Sequence, residues 1–237
     1  MNKTSSFSPR ALICDIDGTI TDKRRRINLD SVSVIRTLVD NGIPVVFASG
    51  NTVCSLTFLC KMVGTDGTII SENGGVYRIG YMGEMKICVD KNVSLAAYEK
   101  IRDYFSKRGI ELELYSPEYR FADIAFAHTG DACEVRKIVS GMPVKILDSG
   151  FALHIMAENV NKGTTFLKVA REMNISPGDF VAVGDSSNDI ELIEYAGVGV
   201  AVSGGQPEAA DAADYISEKN YGDGFSESVR KFFPSLF

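Results

Sequence analysis

Short, wholly apolar runs that stop abruptly at polar, glycine-bearing loops alternate along this chain with segments of helical period. Ala11 to Ile16 is the first run and gives way to "DGTIT", the pattern of a buried parallel strand entering a loop. Leu29 to Asn41 then places Val32, Ile35, Leu38 and Val39 on one helical face, and Asn41-Gly42 supplies a left-handed stop before "IPVVFA", a second buried strand. "SGNT" ends that strand, a helix runs through Leu56, Leu59 and Val63, and "GTII" follows.

After "SENGG" (Ser71 to Gly75) the alternation changes character and predicts an insertion. From about Met82 to Met156 the order reads strand, helix, strand, strand, helix, strand, strand. The helix is amphipathic through Leu95, Tyr98, Ile101 and Phe105, and "ELELY", "FADIAFA", "VKILD" and "FALHIM" are separated by Pro or Gly turns. Such closely spaced strands predict an antiparallel sheet covered on one side. The strand–helix rhythm returns at Asn161, with "NKGTTFLKVAREMNIS" turning Phe166, Leu167, Ala170 and Met173 inward. "FVAVGD" is a strand, "NDIELIEYAG" a short helix, "VGVAV" a strand and "QPEAADAAD" a helix with Pro at its start. The expected fold is α/β: a doubly wound parallel-sheet core formed by residues 1–82 and 157–237, interrupted by an α+β unit over 83–156.

Composition narrows the function. Across 237 residues, 45% are hydrophobic and 24% charged, ordinary for a folded water-soluble protein. A net charge of −6 disfavours a chain-wide footprint for nucleic acid or an acidic membrane. Lys23 to Arg26 is the only dense basic run, either a solvated turn or an anion-steering rim. Five scattered cysteines form neither a C-x-x-C pair nor a zinc spacing, so a reducing compartment fits. "MNKTSSFSPR" has no long apolar stretch of the signal-peptide kind behind it and no segment is long enough to span a bilayer, so cytoplasm is expected.

In doubly wound sheets ligands bind beyond the carboxyl ends of the strands, and those loops are polar here in a consistent way. They carry Asp15 and Asp17, then Ser49, Gly50 and Asn51, then Asn161, Lys162 and Gly163, and finally Asp185 to Asp189. A lone D-x-D is a common turn. Two carboxylates of period two joined by a second acidic cluster, however, need a counter-charge. Mg²⁺ answers that need with oxygen ligands and positions left for phosphate, and four Asp without Cys or His point away from zinc. Lys162 at a helix N-terminus, Ser49 and the Gly50 amide form a complementary anion-binding wall. In such a site Asp15 can attack phosphorus and Asp17, its charge disfavoured by its neighbour, can move the proton.

The segments "DIDGTIT", "FASGNT", "NVNKG" and "VGDSSND" resemble, in order and spacing, the four motifs of the haloacid dehalogenase superfamily. The insertion resembles a C2-type cap, and "SENGG", "DSGFALHI" and "GDSSNDIELI" are similar to the archaeal-type phosphoglycolate phosphatases of the sucrose-phosphate-phosphatase-like group. The resemblance implies a Mg²⁺-dependent phosphatase, with Asp15 as nucleophile and metal ligand and Asp17 as acid/base lending its backbone carbonyl to the metal. It further implies Ser49 and Lys162 on phosphate, and Asp185 and Asp189 completing the metal site with Asn188 in support. The substrate implied is a small phosphorylated metabolite, 2-phosphoglycolate in the nearest group, handled by a monomer or homodimer. Arg120, on a Pro-marked turn, is the candidate partner for the substrate carboxylate. His154 and Cys14 read as packing residues, and Asn73 as shaping a turn. A broad sugar-phosphate phosphatase of the same architecture, and a receiver-like phosphoacceptor module, are the alternatives.

Overall fold

The computed structural model describes residues 8–128, 131–150 and 152–237. The N-terminal stretch weighed above for a leader thus lies outside the described residues up to residue 7, as does Phe151 at the head of a predicted strand. The chain divides into two compact units, one formed by residues up to Lys86 and from Asn161 onward, the other by Ile87–Val160.

In the larger unit the order is β1 (Ala11–Cys14), α1 (Leu29–Asp40), β2 (Val45–Ala48), α2 (Val53–Val63), β3 (Ile69–Ser71) and β4 (Val76–Arg78). β5 (Lys86–Ile87) closes the first segment. The second runs α5 (Lys162–Glu172), β9 (Phe180–Gly184), α6 (Ile190–Tyr195), β10 (Val198–Ser203), α7 (Pro207–Ala212), β11 (Tyr215–Asn220) and α8 (Tyr221–Phe232). The sheet order is β11-β10-β9-β1-β2-β3-β4-β5. β1 is parallel to both β2 and β9, whereas β3 and β4 pair antiparallel.

Every residue of β1, β2 and β9 is buried, which is why their runs are unbroken apolar rather than alternating. From β1 the chain steps one way through β2 and β3 and, after the insertion, the other way through β9, β10 and β11. Right-handed crossovers then place the connecting helices on opposite faces. Accordingly α1 packs with α2 and α8, while α5, α6 and α7 form a separate row. The switch point at β1 opens a crevice at the carboxyl ends of β1, β2 and β9.

Helix periodicity locates the buried faces with small shifts. α1 buries Ser31, Val34, Ile35 and Leu38, with Val32 and Val39 at the margin. Ser31 is inside because its hydroxyl donates to the Gly222 carbonyl at 3.0 Å. In α5 Val169 is buried and Leu167, expected inward, is 41% exposed. Neither β11 nor α8 was among the predicted elements. β11 shows a mostly exposed "YISEKN", and α8 buries Phe225, Val229 and Phe232 at helical spacing, with Gly222, Gly224, Ser226 and Ser228 beside them.

The smaller unit contains α3 (Lys91–Ser106), β6 (Ile124–Ala127), α4 (Ala132–Ile138), β7 (Val144–Asp148) and β8 (Ala152–Ala157). Its antiparallel sheet has the order β6-β8-β7. Ala97, Ile101 and Phe105 of α3 and Val135 of α4 pack with Phe126, Ile146, Leu153 and Ile155 of the sheet into one core. "ELELY" is bound to β6 through a bridge, Leu114 to Phe126, with Tyr115 N donating to the Ala125 carbonyl and Ala127 N to the Glu113 carbonyl, both at 2.8 Å. Among the described residues no helix is long and apolar enough to cross a membrane.

Candidate active site

The strand β1 stops at Cys14, one residue before the first carboxylate, so Asp15 and Asp17 lie in a turn rather than on an extended strand. Asp15 N still donates to the Val183 carbonyl of β9 at 2.9 Å, which anchors it over the switch point. The amides of Thr19 and Ile20 then donate to the Ile16 carbonyl at 3.2 and 3.0 Å, curling the chain. Gly18 (φ +90) permits this curl, and a Cβ there would lie 2.3 Å from Asp185 Oδ2. Asp17 is therefore turned to a different neighbour from Asp15. Its Oδ2 accepts from Asn51 Nδ2 at 2.9 Å, and the same nitrogen reaches Ser49 Oγ at 3.0 Å.

Lys162 is the first residue of α5, and its helix is started by a reciprocal cap: Asn161 Oδ1 accepts from Thr164 N at 2.7 Å while Thr164 Oγ1 accepts from Asn161 N at 3.1 Å. This start aims the wholly buried ammonium at two carboxylates, Asp15 Oδ1 at 2.6 Å and Asp189 Oδ1 at 2.7 Å. Asp189 Oδ2 in turn accepts from the amides of Asp185 and Ser186, both at 3.2 Å, which folds the loop after β9 around it. Asp185 Oδ1 is held by the Thr19 hydroxyl at 3.2 Å.

One oxygen each from Asp15, Asp185 and Asp189 lies within 4.8 Å of the others. Burial raises the Asp185 carboxyl to about 7, with Asp189 pushing the same way and Lys162 pulling back. Asp15 is raised well above the usual carboxylate range by burial, partly countered by Lys162 and reinforced by Asp189 and Asp185. Burial works against the Lys162 charge too, but Asp15 and Asp189 outweigh it and hold the ammonium above its ordinary pKa. Fully ionised, three carboxylates against one ammonium carry two net negative charges, which one divalent cation would balance. The donors are all carboxylate oxygens, the set that suits Mg²⁺. The side chain of Asp17 is not part of this cluster.

Of the residues singled out from sequence, Asp15, Asp17, Ser49, Gly50, Asp185 and Asp189, in the segments that follow β1, β2 and β9, and Lys162, at the start of α5, all belong to the larger unit. Cys14 is fully buried, and burial followed by the Asp15 charge pushes its thiol well up, as suits a packing residue. Arg120 lies in the smaller unit, 8% exposed, where Nε donates to the Tyr115 carbonyl at 3.0 Å and a terminal nitrogen to Asp123 Oδ1 at 2.7 Å. Asp123 Oδ2 meets His154 Nδ1 at 2.8 Å. Burial would raise Asp123, but His154 and Arg120 hold it below its ordinary value. Sequence reasoning gave no role to Thr19 or Asn51, which fix Asp185 and Asp17. Their signal was present as polar side chains close to the expected site residues Asp17 and Ser49, without a spacing rule to single them out.

The haloacid dehalogenase-like hydrolase family matches residues 12–140 and 137–229 of this chain. The chain belongs to that family. Among relatives of the family, a phosphoglycolate phosphatase of Methanoculleus marisnigri is 56% identical over 230 residues, covering 96% of this chain and 98% of the relative. A phosphoglycolate phosphatase of Methanospirillum hungatei is 46% identical over 227 residues, covering 96% and 98%. A crystal structure from Thermoplasma acidophilum superposes with a TM-score of 0.85 at 22% identity, covering 97% of this chain and 100% of that one, which shows the shared fold.

Proposed function

We propose that this chain is a Mg²⁺-dependent phosphatase of small phosphomonoesters that works through an aspartyl-phosphate, with 2-phosphoglycolate as its substrate. The observation that carries the proposal is the close group of Asp15, Asp185, Asp189 and Lys162, whose carboxylate oxygens, with two net negative charges when all are ionised, fit one divalent cation. The naming of the archaeal relatives supports the choice of substrate. A bound Mg²⁺ would be held by Asp15, Asp185, Asp189 and the Asp17 carbonyl, and would supply Lewis-acid neutralisation of phosphoryl charge.

Asp15 is the nucleophile: a carboxylate oxygen forms a bond to phosphorus as the ester oxygen leaves. The Asp17 carboxyl gives its proton to that departing alkoxide, then takes a proton from the water that splits the acyl phosphate and returns Asp15 and inorganic phosphate. Asn51, donating to Asp17 Oδ2, keeps this carboxyl in a single orientation. Ser49 and the Gly50 amide hold phosphoryl oxygens, and Lys162 balances the charge spread over them. Arg120 is the proposed partner of the substrate carboxylate, its guanidinium set by Asp123 and Tyr115. The five cysteines are free thiols, which supports a reducing compartment such as the cytoplasm.

Hydrolysis of p-nitrophenyl phosphate with Mg²⁺ that disappears in Asp15→Asn is the expected result. A chain that hydrolyses no phosphoester, or an Asp15→Asn variant as active as the wild type, refutes the mechanism. Comparing kcat/KM for phosphoglycolate, hexose phosphates and phosphoserine tests the substrate. A preference for hexose phosphates moves the assignment to a sugar phosphatase, and an unchanged phosphoglycolate preference in Arg120→Ala removes the role given to Arg120.

A further inference from the structure

Between β3 and β4 three consecutive residues take up left-handed backbone: Glu72 (φ 49), Asn73 (φ 54) and Gly74 (φ 99). Such conformations are costly for residues with side chains and persist where the surroundings hold them. Here the turn brings Asn73 against the Ser49–Gly50 loop. Asn73 N donates to the Ser49 carbonyl at 3.0 Å, and a Cβ added to Gly50 would lie 3.0 Å from Asn73 Nδ2. The carboxamide therefore lies directly on the α-carbon of Gly50.

Its orientation is set from the far side. Asn188 Nδ2 donates to Asn73 Oδ1 at 2.9 Å, and Asn188 Oδ1 is itself engaged by the Ser186 hydroxyl at 2.6 Å. With Oδ1 committed to the loop after β9, Asn73 Nδ2 is left as a donor. Asn73 is only 2% exposed, and Nδ2 has no acceptor among the described residues. Buried donors of native proteins are nearly all paired, so one that is not calls for an explanation. Shaping the turn does not provide one, since a left-handed position is satisfied by glycine at least as well.

We propose that Asn73 is a further phosphate-binding residue, whose Nδ2–H donates to a phosphoryl oxygen held at the Ser49–Gly50 loop. The assignment rests on the phosphatase reading above and adds a donor outside the four motif segments. Through Asn188 the same side chain ties the phosphate loop to the loop carrying Asp185 and Asp189, so one carboxamide positions the anion relative to the acidic cluster.

The test is competitive inhibition by orthophosphate at saturating Mg²⁺, for the wild type and for Asn73→Gly, which keeps the left-handed backbone and deletes only the carboxamide. A hydrogen bond to a charged group predicts that the inhibition constant rises roughly ten- to hundredfold. The variant also loses the acceptor of Asn188 Nδ2, so a lower phosphate-free melting midpoint accompanies the change and the inhibition constant is the deciding readout. A purely turn-shaping Asn73 replaced by glycine would leave the inhibition constant alone. An inhibition constant within twofold of wild type overturns the proposal. Should Asn73→Gly not fold, Asn73→Asp, equal in shape and equally tolerant of this backbone, replaces the donor by an acceptor. It must weaken orthophosphate at least as much, and unweakened binding overturns the proposal equally. A wild type that neither hydrolyses phosphoesters nor binds orthophosphate overturns the phosphatase reading together with this one, whereas a competent wild type with unaffected Asn73 variants removes Asn73 alone.

Discussion

Replacing Asp185 by Asn in the Mg²⁺-free chain removes one negative charge from the acidic cluster while keeping an oxygen for the Thr19 hydroxyl. Burial and Asp189 raise the Asp185 carboxyl from 3.8 to about 7. A raised carboxyl means the folded chain holds this proton more tightly than the unfolded chain. The stability it contributes is fully present below pH 3.8 and is lost as pH rises through about 7. At pH 8 the ionised side chain therefore costs the metal-free fold about 4 kcal/mol. The carboxamide of the variant cannot ionise, so in EDTA at pH 8 Asp185→Asn is expected to melt above the wild type by roughly 10 °C. The gap should close steadily toward pH 4. Added Mg²⁺ should stabilise the wild type at pH 8 and do much less for the variant, because a bound cation takes the place of the missing proton. Thermal unfolding followed by circular dichroism from pH 4 to 8, with EDTA or Mg²⁺, measures all of this. A variant no more stable than the wild type in EDTA at pH 8, or a gap independent of pH, refutes the reasoning.

Three further outcomes follow from the same geometry. Lys162→Met leaves Asp15 and Asp189 buried without their ammonium, and should cost the metal-free chain about 3–5 kcal/mol in urea unfolding as well as abolish orthophosphate binding. Gly18→Ala forces a Cβ toward Asp185 Oδ2 at a positive φ, and should lower Mg²⁺ affinity by about tenfold or more in calorimetric titration, with a stability loss of roughly 1–3 kcal/mol. Phe126→Ala empties the centre of the smaller unit's core and should destabilise that unit by about 3–5 kcal/mol, read by hydrogen exchange of α3 and β8 amides.

Much of this architecture is legible because parallel strands buried on both faces must be continuous apolar runs, and the loops after them must be polar where a charged ligand is held. β1, β2 and β9 announce themselves in that way, and so do Asp15, Ser49 and Asp185. Other parts are hidden for physical reasons. α8 carries a readable stripe in Phe225, Val229 and Phe232, but glycines at 222 and 224 and serines at 226 and 228 share its buried face and break the look of a helix in sequence. β11 lies at a sheet edge with exposed, charged positions, and so lacks the run that marks its neighbours. In α5 the buried face is Phe166, Val169 and Ala170, and Leu167 next to it in sequence falls on the exposed side. The direction of Asp17, too, depends on a turn that begins one residue before the strand pattern would end it.

The larger unit is assembled from two stretches of chain separated by a complete smaller unit, and its central strand β1 waits for a neighbour 169 positions away, Ala11 beside Phe180. At about 5–20 residues per second, the ribosome delivers that neighbour on the order of ten seconds after β1 emerges. During the interval β1, β2 and β3 present an open, wholly apolar edge, while Ile87–Val160, contiguous in sequence, can already close its own core. Refolding of the intact chain should accordingly show a fast phase reported by the inserted segment and a slower one limited by docking β9 onto β1, and nascent chains stalled before Phe180 should be the species most in need of chaperones.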